Sequence, residues 1–267
     1  MRGGPVGDRA GHGPDPRGST LATSALLARL PGVTAWDLEV VEAGPLTPAL
    51  RRIRAGAPGL GALEYRAGQD LLLAVPTGDG RVFRRRYSIA GIDRAAEVLD
   101  LDMVVHGDGP GARFAATARP GDRVEALGPR GTVAVVPDAA WHLFLADESG
   151  LPATFAMLGA LAPGARALAC FEVGGPGEVR PPPGPAGAAA EVHWLERDGA
   201  APGTSRVLTE AAATVTLPEG RGHAYLAAEL GVVAAARQAL ATRGLTAGQL
   251  SAKPYWRLGV ANAANGP

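Results

Sequence analysis

The chain has 267 residues, in which 26 Lys+Arg balance 26 Asp+Glu, so the formal net charge is zero. That balance excludes a general nucleic-acid binder, which needs a surplus of basic charge. Gly (38) and Pro (23) are abundant, yet 46% of residues are hydrophobic, so the chain is globular with Gly/Pro-rich loops rather than disordered.

Residues 1–22 mix Gly, Pro, Arg and Asp around no apolar centre and are expected to form a disordered tail, not a signal peptide. No apolar run reaches the roughly 18 residues of a membrane helix, so no membrane association and a cytoplasmic location are expected. From 23 to 138 short alternating runs predict an antiparallel barrel or sandwich, with strands Trp36–Val41, Ala49–Arg54, Asp70–Val75, Arg84–Ile89, Val98–His106 and Arg123–Leu127. In the fifth strand Leu99, Leu101, Met103 and Val105 share a face opposite Asp100, Asp102 and His106, which predicts one buried side. Gly109-Pro110 then opens a short helix, and Pro120-Gly121-Asp122 turns the chain into the sixth strand.

The rhythm changes after Trp141 to buried strands alternating with helices, expected over 139–260 and followed by a tail at 261–267. Strands are predicted at Leu143–Leu145, Ala167–Val173, Val192–Leu195 and Ala224–Ala227. The expected helices are Pro152–Leu161, Ser205–Ala213 and Val232–Thr242, and Gly174–Ala190 reads as a surface loop. Such alternation implies a three-layer α/β domain with a mainly parallel sheet. Cys170, the single cysteine, sits in an apolar strand as a core thiol. No metal-ligand spacing is present, and His142, His193 and His223 read as packing or surface residues. Arg51, Arg52 and Arg54 read as a solvated strand face.

Arg85-Arg86-Tyr87-Ser88 is the first string with chemistry in it. An Arg-x-Tyr-Ser at a barrel strand end lets an aromatic ring pack on a flavin, a hydroxyl bond its edge and a guanidinium pair with phosphate. The His106-Gly-Asp-Gly-Pro110 segment opens a helix whose free amides suit a diphosphate. With these strings go Leu99–Pro110, Ala118–Asp122, Gly128–Gly131, Asp147–Ala153, Glu191–Leu195 and Tyr255–Gly259, in order from Leu38 to Val260. Together they resemble the siderophore-interacting protein family, FAD-dependent ferric-siderophore reductases related to ferredoxin reductases.

The resemblance implies a flavin-dependent oxidoreductase that passes electrons from NADPH, NADH or a ferredoxin through FAD to a ferric chelate. It implies cofactor binding by Arg85, Tyr87, Ser88, Val105, His106, Gly107, Gly109, Pro110 and Ala112. Asp147 and Glu148, matching the family's acidic pair, and Trp256 in its C-terminal aromatic-basic element, are the catalytic candidates. The plainer reading of Trp256 is packing of a terminal strand. Arg130, Lys253 and Arg257 are candidates, by charge, for holding an anionic siderophore. Two departures stand out, because Ala146 and Ala228 replace glycines common in the family at sheet ends where nucleotides approach. Three readings therefore stay open: a ferric-chelate reductase, a flavoprotein with a degenerate nicotinamide pocket acting on a small organic ligand, and a flavin-free binding protein.

Overall fold

Alternation builds the first sheet. In β6 (Val98–Val104) the side chains of Leu99, Leu101 and Met103 are fully buried, one residue in two. The computed structural model describes residues 33–77, 81–105, 107, 109–181 and 189–260, so the expected tails 1–22 and 261–267, and His106, lie outside them. β1 (Thr34–Pro45), β2 (Leu50–Gly56), β3 (Asp70–Pro76), β4 (Val82–Ser88), β5 (Gly91–Asp93) and β7 (Arg123–Arg130) join β6. Their order is β4-β3-β7-β1-β2-β6-β5, with every pairing antiparallel.

Although β4 and β5 lie at opposite ends of that order, only Ile89 and Ala90 separate them. The Ile89 N–H donates to Gln69 O (3.1 Å), beside β3, and the Ala90 N–H to Asp100 O (2.9 Å) in β6. Two residues thus bridge both edges, and the sheet closes as the expected barrel. A helix, α1 (Pro110–Thr117), packs Phe114 and Ala115 into its core.

The charged face of β6 departs from expectation. Asp102, placed on the face opposite the core, is buried as well. Its register partner Arg52 donates to both carboxylate oxygens, at 2.7 and 3.0 Å, and Arg180 from the second domain covers it at 3.3 Å. Nor is the Arg51–Arg54 run merely solvated. Arg51 donates to the carbonyls of Ala116 and Ala118, where α1 ends, while Arg54 pairs with Asp100 at 3.1 Å.

The second sheet is wholly parallel among the described residues, in the order β10 (Ala189–Glu196), β9 (Arg166–Val173), β8 (His142–Ala146), β11 (His223–Glu229), β12 (Leu250–Trp256). β8 and β11 are buried at every residue, as strands covered on both faces must be. α2 (Leu151–Gly159) covers one face through Leu151, Phe155 and Leu158 against Phe144 and Phe171. α3 (Val207–Thr214) and α4 (Leu230–Thr242) cover the other, with Leu208, Val233 and Leu240 against Leu143 and Leu226.

Two strands escape the sequence pattern. β5 has three residues, too few for a period to show. β12 contains Lys253 and Pro254, tolerated because it is an edge strand whose missing N–H leaves no central ladder broken. The loop expected at the surface is also a strap, since the buried Glu178 accepts from the Thr47 hydroxyl of the barrel and Arg180 reaches Asp102.

Candidate active site

A cavity of about 200 Å³ lies where β4 of the barrel meets β12 and the start of α2, and Tyr87, Ser88, Pro152, Tyr255 and Trp256 are in its wall. A larger one, about 600 Å³, opens beside Arg166 and Thr216 at the N-terminal ends of β9 and β10. Open α/β sheets bind nucleotides outside the carboxyl ends of their strands, so the smaller cavity is the candidate.

Strand alternation sends Arg85 and Tyr87 one way and Arg86 and Ser88 the other. Arg85 and Tyr87 face the first turn of α1. A Cβ on Gly111 would collide with the Tyr87 hydroxyl and stand 3.8 Å from Arg85 Cγ, so only glycine lets the strand and helix approach this closely. That first turn, entered through Gly109 and Pro110, has no side-chain cap. Arg85 Nη1 donates to Arg84 O (2.8 Å), while its Nη2 is buried without a partner. An unpartnered guanidinium nitrogen beside uncapped helix amides, including that of Ala112, is a donor set made for a diphosphate. Nearby Gly107 takes φ +79°, which lets the chain turn into α1, and Val105, half-buried, is tied by its N–H to Ala49 O (2.9 Å). Burial pushes the Tyr87 hydroxyl up to about 12, so it stays neutral.

The opposite wall comes from the parallel sheet. Tyr255 OH lies 3.1 Å from Ser88 Oγ, and burial pushes this phenol up to about 12 as well. Trp256 Nε1 donates to Asp147 Oδ2 (2.8 Å), and the same oxygen accepts the Glu229 N–H (3.0 Å). Asp147 Oδ1 takes the Ser149 N–H (2.9 Å) and the Gly150 N–H (3.3 Å). Burial, the largest influence, raises the Asp147 pKa, against the donors from Ser149 and Trp256. Glu148 is held by Arg197 at 2.6 Å, and Arg197 also reaches Glu172 at 3.5 Å.

Two family models match the chain: "Siderophore-interacting protein" over residues 139–259 and "Siderophore-interacting FAD-binding domain" over 64–133. The crystal structure of a siderophore utilization protein from T. fusca is 34% identical, with a TM-score of 0.80 over 88% of this chain and 97% of that one. The chain belongs to the siderophore-interacting protein family. Ferric vibriobactin reductase ViuB of Vibrio cholerae is 29% identical over 180 residues, 66% of this chain and 65% of that protein. An uncharacterised protein of Mycobacterium tuberculosis is 35% identical over 153 residues, and the match spans 53% of its length, about half.

The barrel of this siderophore-interacting protein is therefore an FAD-binding domain, and the free donors of Arg85 and α1 fit the cofactor's diphosphate. Of the expected residues, Arg85, Tyr87, Ser88, Trp256 and Arg257 line the cavity, and Gly109, Pro110 and Ala112 form the helix start beside it. His106 lies outside the described residues. Asp147 and Glu148 are not on the cavity wall. They stand behind it, Asp147 fastening Trp256 and Glu148 neutralising Arg197. Lys253 is drawn into an ion pair with Asp70 (2.6 Å), which also binds Arg86 (2.9 Å), and Arg130 ends β7 next to Asp70 in register.

Ala146 and Ala228 have no positive φ and are both buried, Ala146 against the α2 face and Ala228 against the α3–α4 face. Their methyls fill the two cores. Asp70, Glu172 and Arg197 escaped the sequence reading, and Tyr255 entered it only as part of the string Tyr255–Gly259. For Glu172 a signal existed as well, a charge inside the apolar run Cys170–Val173.

Proposed function

We propose that this chain is an FAD-dependent oxidoreductase that reduces a ferric siderophore, with electrons arriving from NADPH, NADH or a ferredoxin. The observation that carries it is the Arg85 guanidinium, buried with an unpartnered Nη2 beside the uncapped first turn of α1. Arg85 and the α1 amides hold the diphosphate, Tyr87 packs along the cofactor, and Ser88 donates to the edge of the flavin ring. Bound FAD supplies exchange between two-electron donors and one-electron acceptors. Arg257, exposed at the cavity mouth, draws in an anionic ferric chelate. Once iron is Fe(II), a softer and less charged ion, oxygen ligands hold it less tightly and the chelate releases it. The name of the Vibrio relative, a ferric vibriobactin reductase, supports this substrate class. A single buried free cysteine suits the reducing cytoplasm, where we place the reaction.

Arg85→Ala tests the reading. Loss of a charge-assisted contact weakens FAD binding about ten- to hundredfold, so the variant emerges from dialysis largely colourless. Full FAD retention would overturn the assignment. For the wild type, anaerobic addition of donor and then of ferric siderophore is expected to bleach and restore the flavin absorbance. A yellow protein that neither NADPH, NADH nor reduced ferredoxin bleaches would overturn the reductase.

A further inference from the structure

We propose that Tyr255 is a positioning residue for the flavin: its hydroxyl donates to Ser88 Oγ and leaves the Ser88 proton free to point at the flavin ring. This rests on the reading that the cavity between β4 and β12 receives that ring.

Ser88 closes β4 in the barrel and Tyr255 lies in β12 of the parallel sheet, yet their oxygens are 3.1 Å apart and both residues wall the same cavity. Each hydroxyl has one proton, so the direction of this bond decides what the cavity is offered. If Ser88 donated to Tyr255, its proton would be spent on the protein. If Tyr255 donates, Ser88 accepts and still has a proton for a ligand. A phenol is a better donor than an alkanol, and burial keeps this one protonated up to about pH 12. The ring is held in place as well: Lys253 Nζ lies 5.0 Å from its centroid and is itself anchored to Asp70 at 2.6 Å.

Holding the domains together is not reason enough for the contact. Lys253–Asp70, Arg180–Asp102 and Thr47–Glu178 already tie barrel to sheet. Among these links, Ser88–Tyr255 alone has both partners on the cavity wall.

The experiment uses the full chain freed of FAD and titrated with it, reading both affinity and the visible spectrum of bound flavin in Tyr255→Phe, Ser88→Ala and the double variant. Each single change is expected to weaken FAD about two- to tenfold, the net value of one hydrogen bond, and to shift the flavin band. The double variant should be no weaker than Ser88→Ala, because Tyr255 acts through Ser88. Thr47→Val, which cuts a different link between the domains, should leave the band in place. If Ser88→Ala weakens FAD while Tyr255→Phe matches wild type, positioning is refuted and the cavity assignment survives. Additive effects in the double variant, or an equal band shift from Thr47→Val, refute it too. Should neither single change alter affinity or spectrum, the flavin does not lie in this cavity, and both readings fall together.

Discussion

The two ends of the parallel sheet are built from the same strands and treat polarity in opposite ways. At the N-terminal end, β8 and β11 begin with His142 and His223, and Tyr225 stands between them. The Tyr225 oxygen accepts the Val136 N–H (2.8 Å) and lies 3.3 Å from His142 Nδ1, while His223 Nε2 is 2.9 Å from Ser251 Oγ. Burial pushes both imidazoles below their usual range, so the two rings stay neutral. At the C-terminal end Glu148 and Glu172 share the guanidinium of Arg197, and Asp147 adds its charge to theirs. Helices explain the asymmetry. α2 and α4 both start there, and their amides receive carboxylates: Ser149 and Gly150 bond Asp147, while Gly231 and Val232 (3.1 Å) bond Glu229. A parallel sheet with helices following its strands collects N-terminal dipoles at one end only, so negative charge is tolerated at that end.

Removing the cation should break the contrast most severely. Arg197→Leu strands the two buried carboxylates of Glu148 and Glu172 and is expected to cost about 3–5 kcal/mol in urea unfolding at pH 8, with part of the loss recovered at pH 5 as Glu172 protonates. A loss below 1 kcal/mol would mean that water, not Arg197, neutralises the cluster.

Glu172 sharpens the comparison through pH. Burial, reinforced by the Asp147 charge and opposed by Arg197, pushes its pKa up to about 7 from 4.5. Between those values the folded state holds a proton that the unfolded state has released, so stability falls as pH rises from 4.5 to 7. Glu172→Gln should remove that slope, on the order of 2–3 kcal/mol between pH 5 and pH 8. An unchanged slope would assign it to Asp147 instead.

His142 provides the smallest and opposite effect. Its pKa is lowered, first by burial and then by His223, so the unfolded state takes up the proton first as pH drops below about 6.5 and stability declines toward acid. The two slopes oppose each other near pH 6, so the cleanest measurement is in the Glu172→Gln background. There, adding His142→Gln, which keeps an acceptor near Tyr225, should flatten the acid limb. An acid limb that persists points to His223.

Local strings were the legible part of the site. Arg85-x-Tyr87-Ser88 and Gly109-Pro110 are each read within a few residues, and strand alternation and helix entry geometry then place their groups with little freedom. Asp147 and Glu148 were legible as residues but not as neighbours. Whether they face a ligand or a partner depends on Trp256, 109 positions on, and on Arg197, 49 positions on. Nothing local distinguishes Lys253 on a ligand from Lys253 on Asp70, 183 positions away.

By itself the sequence determined an antiparallel β domain followed by an α/β domain, because alternation of period two and buried runs between helices are properties of consecutive residues. Tertiary structure alone decided that Ile89 and Ala90 close the barrel, that Asp102 is buried under Arg52 and Arg180, that Ala146 and Ala228 face the cores, and that Ser88 meets Tyr255. The reason is that a side chain's charge and shape are written in the chain, whereas its partner is set by which distant element packing brings within about 3 Å of it.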